Sequence, residues 1–130
     1  MRNSDMCQSS LQSHDLLIIL NDPPYGTERS YNGLRLAMTL KKAYPDLKVN
    51  VFLLGDAGSC AVAGQKTPDG YYNLERMIRA IVTKKVSVIC CGTCLDARGL
   101  SDDYLVTRVK RSTIGDLGKW TVEADKVVTF

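Results

Sequence analysis

The sequence predicts a single α/β domain built on a mostly parallel sheet. Short apolar runs bounded by turn residues alternate with segments of helical periodicity, the pattern of strands joined through crossover helices. A composition of 45% hydrophobic and 24% charged residues is that of an ordinary globular chain. Its 130 residues fit one core. Right-handed crossovers would place every strand's carboxyl end on one edge of the sheet, where ligand crevices of such folds lie.

Each element can be justified in order. Residues 1–14 are polar, lack an apolar targeting core, and are expected to be a disordered tail ahead of a domain spanning 15–130. Asp15-Leu-Leu-Ile-Ile-Leu-Asn21 reads as a buried strand, and Pro23-Pro24-Tyr25-Gly26 as the turn that ends it. Thr27 or Ser30 suits the cap of a helix with apolar positions Tyr31, Leu34, Ala37, Met38 and Leu40, stopped by Pro45. Val49 to Leu54 is the second strand. Gly55 to Tyr71 is a long connection, of a length usually functional or disordered.

Leu74, Met77, Ile78, Ile81 and Val82 then form one apolar stripe at helical spacing, with Asn73 as cap. Val86 to Cys91 is the third strand, Gly92 to Gly99 a polar turn, and 100–108 a short helix. Val109 to Ser112 is a short strand. Ile114 to Ala124 is weakly helical because Gly115 and Gly118 lower the propensity, and Lys126 to Phe130 is the last strand.

Several functions are excluded or disfavoured. There is no G-x-G-x-x-G after the first strand and no phosphate-binding P-loop, so nucleotide cofactors are not expected. The excess of 17 Lys and Arg over 14 Asp and Glu is too small to argue for direct nucleic-acid binding. The longest apolar run, Leu16 to Leu20, is too short to span a membrane. A single His leaves a serine-type triad only His14, beside the tail. The expected compartment is the cytoplasm, where thiols stay free unless they bind metal or do chemistry.

Cys91-Gly92-Thr93-Cys94 carries the chemistry. A turn at a strand's carboxyl end can direct backbone N–H groups at a sulfur and raise its thiolate fraction, and Arg98 adds positive charge. The thiolate is the species that attacks a disulfide or persulfide sulfur. The bland alternative is a pair of small buried hydrophobes. A zinc or iron–sulfur site needs four ligands, and no second CxxC exists. Cys90 should point to the opposite face, into the core. Cys60 is a candidate resolving thiol, although an incidental loop residue is the commoner outcome, and Cys7 falls in the tail. Asp22, Glu28 and Asp56 are nearby acids that more often serve turns or caps. Lys84-Lys85 and Arg108, Lys110 and Arg111 read as solvated surface.

Several motifs in one order resemble the YchN branch of the DsrE/DsrF-like family. They are Pro24-Tyr25-Gly26 and Leu34-Arg35-Leu36-Ala37 within 21–40, Gly64-Gln65-Lys66 followed by Gly70-Tyr71, and Cys91-x-Thr93-Cys94-x-Asp96-x-Arg98-Gly99. Trp120-Thr121-x-x-Ala124-Asp125-Lys126-Val127 completes the set. The resemblance covers about residues 15–130. It implies a three-layer α/β/α sandwich around a five-stranded, mostly parallel sheet, assembled as a homo-oligomer, a trimer or hexamer.

It also implies sulfur relay. Cys91 would accept sulfane sulfur as a persulfide, Cys94 would discharge it or hand it on, and Arg98 would hold the charged sulfur. Tyr25, Gly26, Lys66, Asp96 and Gly99 would line the site. Sulfur donor and acceptor proteins are the implied partners, with no cofactor, metal, membrane or nucleic acid, and sulfurtransferase is the enzyme class in question. Two readings stand beside it: a thiol–disulfide oxidoreductase using both cysteines, and a structural or metal-binding hexamer.

Overall fold

A computed structural model describes residues 14–130. Residues 1–13 of the expected tail, with Cys7, lie outside the described residues. The strands are β1 (Asp15–Leu20), β2 (Lys48–Leu53), β3 (Ser87–Cys91), β4 (Lys110–Ser112) and β5 (Lys126–Thr129). They form one five-stranded sheet in the order β4-β3-β2-β1-β5. All four pairings are parallel. The helices are α1 (Arg29–Ala43), α2 (Leu74–Thr83), α3 (Gly92–Ala97) and α4 (Ile114–Glu123).

The period of two along the strands divides the core. Leu16, Ile18 and Leu20 of β1 join Val49, Val51 and Leu53 of β2 and Cys90 of β3 on one face, under Leu34 and Ala37 of α1 and Ile78 and Ile81 of α2. Leu17, Phe52 and Cys91 face the other way, under Leu117 of α4. There Trp120 meets the Phe52 ring edge-on, centroids 6.3 Å apart. Side chains as fully buried as Ile78 and Ile81 contribute about 1.5–3 kcal/mol each relative to exposure.

Asn73 caps α2 as its sequence predicts, accepting the Arg76 N–H at 3.0 Å. Three local expectations are corrected. Gly92–Gly99 is not a polar turn: α3 begins directly after β3. Residues 100–108 hold only a 3₁₀ turn at Asp102–Tyr104, because Val62 and Leu105 form an antiparallel bridge that keeps the segment extended. The cap position of α1 is Glu28 rather than Thr27 or Ser30. Ser30 is instead buried inside the helix and donates its hydroxyl to the Asp22 carbonyl at 2.6 Å.

The long connection after β2 is ordered at its start as a 3₁₀ helix, Gly55–Ala61. Its remainder is tied down by Glu75, whose carboxylate accepts the Gly64 and Gln65 N–H groups at 2.9 and 2.8 Å. The α4 helix forms despite its glycines, since the Thr113 hydroxyl accepts the Asp116 N–H at 3.1 Å. No described helix is long and apolar enough to cross a membrane.

Candidate functional site

Parallel topology brings the carboxyl ends of β2 and β3 side by side, so Gly55 and Asp56 stand next to the CxxC segment. Cys91 closes β3 and caps α3. Its sulfur accepts the Cys94 N–H at 3.4 Å and lies 3.2 Å from the Thr93 hydroxyl. Burial disfavours its thiolate. Hydrogen bonds from the Cys94 thiol, the Thr93 hydroxyl and the N–H groups of Cys94 and Thr93 outweigh that cost and hold the pKa below its ordinary value.

Cys94 shows the complementary shift. Burial and the donation of its proton to Cys91 push its pKa up, with the Gly55 N–H and the Arg98 charge opposing. The pair thus holds a nucleophile and a proton donor, and both thiols are free. Cys60 and Cys90 are free but fully buried in the larger core cluster. Burial drives both to about 12. Cys60 therefore belongs to the core and is not an accessible loop thiol; its sulfur reaches the Asp22 carbonyl at 3.6 Å.

Arg98 is the C-cap of α3. Its Nε donates to Asp56 at 2.8 Å and its Nη1 to the Cys94 carbonyl at 2.9 Å, so the fork ties the cysteine helix to the 3₁₀ helix after β2. Gly99 follows at φ +66°. The Gly99 N–H donates to Asp96 and the Leu100 N–H to Leu95, which closes α3 with a Schellman motif. The Arg-Gly pair is thus read structurally as cap and left-handed terminator.

Asp96 bonds neither sulfur; it accepts from Arg111 at 2.7 Å. Arg111 is the residue the sequence reading missed. Far from being solvated, its guanidinium also donates to Gly92 O, Leu100 O and Asp102, and so clamps both ends of α3. Its place near the carboxyl end of a predicted short strand, the end at which such folds gather their sites, was the available signal.

Tyr25 lies in a different cluster. Its hydroxyl donates to Gln65 at 2.6 Å and accepts the Leu74 N–H at 3.2 Å, and its ring stacks near Tyr72 at 5.9 Å. Gly26 turns the chain there at φ +100°, and Lys66 is exposed on the tied loop. The Tyr25 hydrogen bonds lead to Gln65 and α2, not to a thiol. Among the described residues no group of three or more His, Cys, Asp or Glu is placed to hold a metal ion.

The comparisons agree with this architecture. Protein YchN of Escherichia coli is 39% identical over 115 residues, covering 88% of this chain and 97% of that protein. An uncharacterized protein of Methanocaldococcus jannaschii is 34% identical over 113 residues, covering 87% and 96%. The crystal structure of the Escherichia coli protein superposes with a TM-score of 0.86 at 38% identity, covering 90% of this chain and 99% of that one. A protein of unknown function from Methanobacterium thermoautotrophicum shares the fold at a TM-score of 0.75 and 12% identity, covering 91% and 100%. Residues 14–130 match the DsrE/DsrF-like family, and the chain belongs to it.

Proposed function

We propose that the protein is a sulfur-relay carrier that holds sulfane sulfur as a persulfide on Cys91. The observation that carries this reading is the Cys91 sulfur itself, fixed at a strand end with donors from Thr93 and Cys94 that favour its thiolate. The Cys91 thiolate attacks the terminal sulfur of a donor persulfide, R–S–SH. A new S–S bond forms on Cys91, the donor's S–S bond breaks, and the donor leaves as the thiol R–SH.

Cys94 then has two uses. An acceptor thiolate takes the terminal sulfur, and Cys91 departs as a thiolate. Alternatively, Cys94 attacks the Cys91 sulfur, hydrogen sulfide leaves, and a Cys91–Cys94 disulfide remains for a dithiol reductant to reopen. The opposite pKa shifts of the two thiols, one lowered and one raised, also support the oxidoreductase reading. Intact mass distinguishes them: incubation with a persulfide donor should add one sulfur atom, removable by reductant, and Cys91→Ser should not load. Formation of only an internal disulfide, with no sulfur gained from any donor, would overturn the carrier reading in favour of the oxidoreductase.

We further infer a homo-oligomer, a trimer or hexamer. Val122 is 87% exposed on α4 and Val127 is 43% exposed on β5, apolar surface that a second copy would cover. A monomer in light scattering at micromolar concentration would exclude it. The free thiols suit a reducing compartment, the cytoplasm.

A further inference from the structure

A cavity of about 540 Å³ opens between the amino-terminal ends of α3 and α4 and the end of β4. Thr93 lines it, and the same Thr93 hydroxyl lies 3.2 Å from the Cys91 sulfur. Cys91 itself is only 5% exposed, so a reagent needs a route to it, and this cavity ends one hydroxyl away.

The lining has a definite electrostatic character. Arg111 is its one guanidinium, and that charge is already bound by Asp96 and Asp102. Asp116 adds a further carboxylate, bonded only to a neutral partner, the Ser112 hydroxyl at 2.6 Å. Ile114, 66% exposed, supplies an apolar wall. The amino termini of α3 and α4 oppose the field of these carboxylates, but each is already capped, by the Cys91 sulfur and the Thr113 hydroxyl, so the excess carboxylate leaves a concavity that favours cations over anions.

We propose that this cavity is the port through which the sulfur donor reaches Cys91, and that its acidic lining selects donors carrying neutral or cationic groups next to the sulfane sulfur over anions such as thiosulfate. The donor class rests on the carrier role proposed above; the port does not, because it concerns the access of any thiol reagent to Cys91.

The test therefore uses two readouts. In the first, Cys91 is alkylated with 2-bromoethylamine, iodoacetamide or iodoacetate, a cation, a neutral reagent and an anion, and the site is assigned by fragment mass. Relative to free cysteine, the cation should be favoured over the anion. Asp116→Asn, which keeps the acceptor for Ser112, should shrink that preference about threefold, and Ile114→Glu at the exposed wall should enlarge it. Asp46→Asn, at the opposite end of the sheet, should leave it unchanged. In the second readout, the persulfide of cysteamine, a cation, should load Cys91 faster than thiosulfate, and Asp116→Asn should narrow the gap. A reagent preference unmoved by Asp116→Asn and Ile114→Glu, or moved instead by Asp56→Asn on the other flank of the cysteine pair, would overturn the port. Failure of every donor to load, with the alkylation preference intact, would remove the carrier reading and leave the port standing.

Discussion

Cys90 and Cys91 are consecutive residues on one strand, both buried, and they have opposite chemistry. Cys90 faces the larger core cluster, where burial takes its pKa to about 12. Cys91 faces the smaller cluster and meets the first turn of α3, whose donors bring its pKa below the ordinary value. Both side chains have little exposed surface, but Cys90 lies deeper, so desolvation weighs far more on its thiolate than on that of Cys91. Depth of burial and reach of N–H and O–H donors act together, and a one-residue step along a strand with period two sets both.

The largest expected effect tests this contrast directly. Cys91→Ser should abolish both sulfur loading and the fastest alkylation, because a hydroxyl is not ionised near neutral pH. Cys90→Ser should leave loading intact while destabilising the fold by about 1–3 kcal/mol, since it buries a hydroxyl in an apolar cluster. Loading lost equally in the two variants would dissolve the distinction. With wild-type protein near neutral pH, the larger thiolate fraction of Cys91 should make it react far faster than Cys90.

The pH dependence of stability follows from the same shifts, with opposite signs. Cys60 and Cys90 have folded pKa values near 12 against an ordinary value of 9.0. Between these values the unfolded chain releases the two protons and the folded chain retains them. The stability they contribute is thus complete below pH 9 and is lost as the pH rises towards 12, by up to about 4 kcal/mol per thiol. Cys91, lowered on folding, contributes stability present above its unfolded pKa and lost as the pH falls through its folded one. Urea unfolding with the Cys60→Ala and Cys90→Ala double variant should show the steep alkaline loss flattened. An unchanged alkaline limb would mean that these thiols are not what titrates.

Much of this arrangement is legible in the sequence. Continuous runs such as Leu16–Leu20 and the stripe from Leu74 to Val82 encode buried strands and an amphipathic helix by local pattern alone. The Cys90/Cys91 division follows from the strand period. The α3 helix escapes such reading because it is six residues long. Its sequence, Gly-Thr-Cys-Leu-Asp-Ala, is too short for periodicity, and its ends are held by Arg111, a residue distant in sequence. Gly99 after Arg98 was the local sign of a helix terminator. Cys60 was misread because a 3₁₀ helix, with few residues per turn and no pattern of its own, carries it into the core.

A moderate effect should come from Cys94→Ser. It removes the second thiol but keeps a hydroxyl donor and the backbone N–H at position 94, so loading should continue. Persulfide on Cys91 should then persist several-fold longer in the absence of an acceptor, since no neighbouring thiolate remains to attack it. Cys94→Ala, which leaves no side-chain donor at this position, should raise the pH midpoint of Cys91 alkylation, because one of the hydrogen bonds that favour the thiolate is gone. Persistence in Cys94→Ser equal to wild type would mean that Cys94 does not resolve the persulfide.

The smallest effect belongs to Arg98, and it asks whether charge or geometry matters at this end of the pair. The Arg98–Asp56 pair is largely solvent-exposed, so Arg98→Ala should cost no more than about 1 kcal/mol of stability. Loading should fall only about two- to fivefold. Arg98 bonds Asp56 and the Cys94 carbonyl at once, a task for a planar fork that a lysine ammonium cannot reproduce. Its charge acts on Cys94, favouring that thiolate. Arg98→Lys should therefore keep the pH midpoint of Cys94 alkylation near wild type while loading falls nearly as far as in Arg98→Ala. Full rescue of loading by lysine would instead assign Arg98 the role of a simple counter-charge to the sulfur carried on Cys91.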